Sequence, residues 1–150
     1  MSVRTSKGNV KHLDHLNLTV ENLDETIDWY RRVFGFELVE RAVRDGEPWG
    51  VLRSGEAMLC VYENPGRHVT ERTERGRLCI HAVSHFALRI TDREAWEETV
   101  QREELETFYD SPVDYPHSRS WYVYDPSGYE IEVASWNDDV VRFEELTAVP

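Results

Sequence analysis

Two stretches decide how this chain is read: His15-Leu16-Asn17-Leu18-Thr19-Val20 and, further on, His85-Phe86-Ala87-Leu88-Arg89-Ile90. Both alternate apolar and non-core residues with the period of two expected of a half-buried strand. Both open on histidine and run straight into a helix pattern. After the first, Asn22 and Glu25 have capping-box spacing, Leu23, Ile27, Tyr30 and Phe34 recur at helical intervals, and Gly35 closes the segment. After the second, Thr91 and Glu94 repeat the capping arrangement, and Trp96 and Val100 stand one turn apart. Strand-like runs follow at 36–43, 49–53 and 57–62 in the first half, and at 107–109, 120–124 and 129–134 in the second.

Each half therefore reads β-α-β-β-β, and the chain is expected to be one α+β domain of two paired modules with cupped mixed sheets. Module one spans about 11–62, a linker rich in Glu, Arg and Gly about 63–80, module two about 83–136, and a polar tail 137–150. One such unit cannot enclose a core alone, so the halves must pack together.

Composition narrows the function classes. At 150 residues, 40% hydrophobic and 31% charged, the chain is a single globular domain. A net charge of −12 disfavours nucleic acid and anionic lipid as partners. Lysine occurs only at Lys7 and Lys11, and this excess of carboxylates suits a high-salt milieu. No run reaches the ~20 apolar residues of a membrane helix, and the polar N-terminus lacks a signal-peptide core, so the expected location is the cytoplasm. The two cysteines, Cys60 and Cys79, do not form a CxxC pair.

Strand parity then sorts the polar residues. Leu16, Leu18 and Val20 share the helix side, which leaves His15, Asn17 and Thr19 on the other face. Phe86, Leu88 and Ile90 leave His85, Ala87 and Arg89 opposite. In the last strand Ile131 and Val133 face the helix, so Glu130, Glu132 and Ala134 point away. In the strand before it Ser120, Tyr122 and Tyr124 do the same, and in the fourth strand Cys60 shares a face with Met58 and Tyr62. Two repeat-related histidines and a carboxylate on a helix-free concave face make a metal-ligand set: His15, His85 and Glu132. Burying that carboxylate would otherwise be costly, and a cation removes the cost.

The segment Asp14–Val20, the run Trp29-Tyr30-Arg31-Arg32-Val33-Phe34-Gly35-Phe36 and the closing Asp125-Pro126-Ser127-Gly128-Tyr129-Glu130-Ile131-Glu132 resemble the vicinal oxygen chelate superfamily. That group includes glyoxalase I, extradiol dioxygenases, and fosfomycin- and bleomycin-resistance proteins. The resemblance covers about residues 11–136. It implies one divalent metal in the cupped sheets, held by His15, His85 and Glu132, and a homodimer, with the site inside one chain or shared between two. Cys60 takes the place of glyoxalase I's fourth-strand glutamate; it lies 45 residues after His15, as Glu132 lies 47 after His85. That change weighs against glyoxalase chemistry, and Cys60 reads either as a cavity-wall residue or as a thiolate ligand.

Two histidines and a carboxylate leave coordination positions open, which suits Fe(II) with dioxygen and a chelating substrate, or Mn(II), Zn(II) or Ni(II) as a Lewis acid. The first expectation is an extradiol-type dioxygenase using Fe(II), with Tyr122 donating a hydrogen bond to a small-molecule substrate and Asn17, Trp49, Tyr62 and Ser120 in contact with it. His68, His81 and His117 fit poorly as further acid–base groups. The alternatives are a glyoxalase-type lyase or isomerase, a fosfomycin-type addition that lacks its lysines here, and a non-catalytic binding module walled by Trp49, Tyr62, Tyr109, Tyr115 and Trp121.

Overall fold

The structure, a computed structural model, describes residues 10–143. Strand β1 (Leu16–Val20) leads into helix α1 (Leu23–Phe34), then β2 (Glu37–Arg44), β3 (Glu47–Ser54) and β4 (Ala57–Glu63). Helix α2 (Arg72–Leu78) follows, then β5 (Phe86–Ile90), α3 (Arg93–Arg102), β6 (Val113–Asp114), β7 (Ser118–Tyr124), β8 (Glu130–Trp136) and a short 3-10 turn, Asn137–Asp139. The order is β-α-β-β-β twice. The first sheet runs β1-β4-β3-β2 and the second β5-β8-β7-β6, each with one parallel and two antiparallel pairings.

Local chemistry accounts for the boundaries. The Asn22 side chain accepts the Glu25 backbone N–H at 2.8 Å, and Gly35 turns left-handed at φ 67° to close α1. In module two the cap is Asp92, which accepts the Ala95 N–H at 3.0 Å, and not Thr91 as the spacing suggested. Asp92 and Thr91 are both good caps; the last strand residue, Ile90, faces the core, and that sets where the chain leaves the sheet.

Two further expectations are corrected. Residues 107–109 form no strand, because Tyr109 and Asp110 have φ values of 60° and 54°; the edge strand is the two-residue β6. The segment 63–80 is not all loop: its Arg- and Glu-rich part winds into α2. The last seven residues of the expected polar tail lie outside the described residues.

One core joins the two modules. Leu18, Val20, Leu23, Tyr30, Leu52, Leu59 and Val61 from the first meet Trp96, Trp121, Val123, Ile131 and Val133 from the second. Phe34 of α1 stacks on Trp96 of α3, with ring centroids 5.3 Å apart and planes 9° from parallel. Arg32 pairs with Glu103 at the rim of this contact.

Candidate metal centre

The turn between β7 and β8 sets the site. Asp125 is buried, and its Oδ1 accepts the backbone N–H groups of Ser127 and Tyr129 at 3.0 and 2.9 Å. Its other oxygen accepts the Tyr30 hydroxyl at 2.9 Å, tying the turn to α1. Gly128 adopts φ 91°, which the tight reversal needs. Burial raises the Asp125 carboxyl above its ordinary 3.8, opposed by these hydrogen bonds. The register that follows pairs Tyr122 with Glu132 and, in the parallel ladder, Ala87 with Glu132 and Phe86 with Ile131.

That register brings two of the three expected ligands together. His85 Nε2 lies 2.9 Å from Glu132 Oε2. This is a direct imidazole–carboxylate hydrogen bond, and the two side chains are close enough that a modest opening of the pair would let both bind one ion with bonds of about 2.0–2.2 Å. Ser120 is buried, and its Oγ donates to Glu132 Oε1 at 2.6 Å. The Tyr122 ring stands edge-on to His85 at 5.9 Å, and its hydroxyl is 3.1 Å from that of Tyr115. Burial first, then the Tyr115 contact and the Glu132 charge, raise the Tyr122 phenol well above its ordinary 10. Tyr122 is therefore a protonated hydrogen-bond donor at neutral pH.

His15 is elsewhere. It precedes β1 on module one, with its side chain 41% exposed and Nδ1 2.8 Å from Asp14 Oδ2. Among the described residues no group of three or more His, Cys, Asp or Glu side chains forms a metal-holding cluster. Asn17 and Cys60 pair across β1 and β4, and Trp49 stacks on Tyr62 at 6.0 Å. These four share the helix-free face of the first sheet; Asn17 also lines one cavity with His85, Arg72 and Glu130. Burial first, then the charges of Asp14 and Glu40, raise the Cys60 thiol. Trp121, considered as a wall, is in the core against Trp96.

Three further residues crowd this site: Glu130 and Arg72, to which the sequence assigned no role, and Tyr109, expected only as a wall of a binding module. Glu130 is buried and pairs with Arg72 of α2, and its Oε2 accepts the Tyr109 hydroxyl at 3.0 Å. Arg72 also lies over the Tyr109 ring, 4.5 Å from its centroid. Parity already placed Glu130 on the face of Glu132; nothing in the linker marked Arg72.

Over residues 12–133 the sequence matches the Glyoxalase/Bleomycin resistance protein/Dioxygenase superfamily. The chain belongs to this superfamily. Its fold is also that of several solved members. A glyoxylase/bleomycin resistance protein/dioxygenase domain from Frankia sp. EAN1pec is 15% identical, with a TM-score of 0.69 over 86% of this chain and 94% of that one. A mutant of the fosfomycin resistance protein FosX from Listeria monocytogenes, solved with Mn(II) and dihydroxypropylphosphonic acid, is 16% identical, with a TM-score of 0.67 over 85% and 94%. A structure from the mobile metagenome of V. Pseudocholerae is 23% identical, with a TM-score of 0.62 over 87% and 98%. No curated protein matches the chain. Among the described residues no helix is long and apolar enough to cross a membrane.

Proposed function

We propose that this superfamily member is a divalent-metal-dependent enzyme that chelates two neighbouring oxygens of a small organic substrate. The observation that carries the reading is the His85–Glu132 pair, 2.9 Å apart, on the helix-free face of the second sheet. His85 and Glu132 would hold the ion, with His15 supplied by a second copy of the chain. His15 stands exposed on module one, where it is free to reach a partner's half-site. When bound, the metal supplies open coordination positions and charge stabilisation for the chelated oxygens. Ser120 orients Glu132, which replaces the direct substrate contact expected from its position. Tyr122 donates a hydrogen bond to a substrate oxygen after leaving Tyr115. Asn17 lines the cavity of His85 within the same chain, and Trp49 and Tyr62 from the partner's module one would form the facing wall, with Cys60 among them.

Within that class, extradiol-type ring cleavage with Fe(II) is the first chemistry to test, because a catecholate needs the metal and a phenolic donor but no cationic subsite. Fosfomycin-type addition is the second reading, favoured by the fold shared with FosX, which is solved with Mn(II) and a dihydroxypropyl phosphonate. The one arginine on Glu130, Arg72, has its charge offset by that carboxylate. Arg75, on the same cavity, donates among the described residues only to the backbone carbonyls of Val83 and Ser84 and is the cation a phosphonate would use.

Elemental analysis of anaerobically purified protein tests the metal reading. About one equivalent of iron per chain directs work to a catechol panel, and manganese, nickel or zinc to fosfomycin and methylglyoxal–glutathione adducts. Protein that holds no metal and takes none up when offered would defeat the proposal and favour a ligand-sequestering module.

A further inference from the structure

Glu130 is a carboxylate with 3% side-chain exposure, two residues from Glu132 on the same strand face. A buried carboxylate is costly unless paired and hydrogen-bonded. Arg72 and the Tyr109 hydroxyl meet that need. The Glu130 Oε1 atom also faces His85 Nδ1 at 3.7 Å, since the parallel register of β5 and β8 sets His85 alongside it. That ring nitrogen is buried and has no hydrogen-bond partner.

A neutral imidazole carries one N–H. With the proton on Nε2, directed at Glu132, Nδ1 turns a lone pair toward a carboxylate oxygen, and the contact stays open. With the proton on Nδ1, that N–H faces the Glu130 carboxylate at 3.7 Å, a favourable charge contact that a small closure of the pair would turn into a hydrogen bond. Nε2 then presents its lone pair beside the Glu132 carboxylate, which is the form that binds a cation.

We propose that Glu130 is the positioning residue of the metal centre. Held by Arg72 and Tyr109, it orients His85 and selects the tautomer whose Nε2 is a metal donor. The inter-module helix α2 thereby takes part in the site through Arg72. This role rests on the metal reading above.

The test is a zinc titration of the full chain by calorimetry, with long-range ¹⁵N–¹H spectra of the imidazoles in the zinc-loaded protein. Glu130→Gln keeps the side-chain volume and should weaken zinc binding roughly 10- to 100-fold. Tyr109→Phe removes one hydrogen bond from Glu130 and should cost about two- to tenfold. Zinc on Nε2 leaves the His85 proton on Nδ1 in both proteins; in the wild type that proton should exchange slowly with solvent, and in Glu130→Gln it should exchange measurably faster. A purely structural role would lower the melting temperature and leave the affinity of the folded protein and the exchange rate unchanged. A folded Glu130→Gln that binds zinc within about twofold of wild type would overturn the proposal. Should that variant not fold, unchanged affinity in Tyr109→Phe overturns it instead. Wild-type protein that binds no zinc or other offered metal would sink the metal reading itself, and this role with it.

Discussion

At the scale of single residues, His85 and Cys60 make the sharpest contrast. His85 is half-buried with one nitrogen on Glu132, whereas Cys60 sits on the other sheet with a thiol that burial pushes up. His85→Ala should abolish metal retention, and Cys60→Ala should leave metal content within measurement error, both read by elemental analysis of folded protein. A large loss in Cys60→Ala would make it a ligand. The tyrosines give a pH prediction. Tyr30, Tyr109 and Tyr122 all have phenols raised above the ordinary 10, with burial as the leading cause. The folded state holds these protons more tightly than the unfolded chain. Their stabilising effect is thus complete below pH 10 and declines as pH rises beyond it. An absorbance titration near 295 nm should leave at least the two buried ones, Tyr30 and Tyr122, un-ionised until the fold opens. Ionisation of all seven tyrosines near pH 10 in folded protein would contradict the burial of those two.

At the scale of elements, α1 and α3 were legible because their signals are local, whereas α2, which has no side-chain cap, was read as linker. The cap Asn22 and the closing Gly35 each act within one turn, so sequence spacing suffices to find them. Asn22→Ala should cost about 1 kcal/mol in denaturant unfolding. The stretch 107–109 was misread because its residues favour strands in general, while two consecutive left-handed backbones at Tyr109 and Asp110 turn the Tyr109 hydroxyl onto Glu130. That conformation is maintained by distant partners, which no local pattern reports. The α1–α3 contact is a similar case. Trp96 is 4% exposed and packs on both Phe34 and Trp121. Trp96→Ala should cost roughly 3–5 kcal/mol, by loss of buried surface and the cavity left behind. A loss under 1 kcal/mol would mean the modules are joined elsewhere.

At the scale of the whole molecule, the two sheets differ in what covers them. On the second, Tyr109, Tyr115 and Arg72 cover Glu130 and Tyr122. On the first, every residue of β2 is exposed, Leu38, Val39 and Val43 included. With His15 on that open module, the dimer proposed above would complete two sites at once. Mixing tests it. His15→Ala and His85→Ala proteins, each inactive in metal binding, should regain about a quarter of the wild-type metal on unfolding and refolding together, because random pairing makes half the dimers mixed and each mixed dimer carries one intact site. Recovery of none would place all ligands within one chain, and metal retained by His15→Ala alone would remove His15 from the set.

From sequence alone, the repeat, the β-α-β-β-β plan of each half, the caps of α1 and the faces of the main strands were legible. These depend on periodicity and on hydrogen bonds that close within one turn or one strand. Glu132, His85, Tyr122 and Ser120 could be picked out on that basis, since parity is a property of the extended backbone. What only the tertiary structure decided is which polar groups meet. The β5–β8 register set His85 between Glu130 and Glu132, and the chain's path beyond module one brought Arg72 onto Glu130. Those contacts span tens of residues and arise from packing two modules on one core, a long-range constraint that leaves no mark in the spacing of the residues it joins.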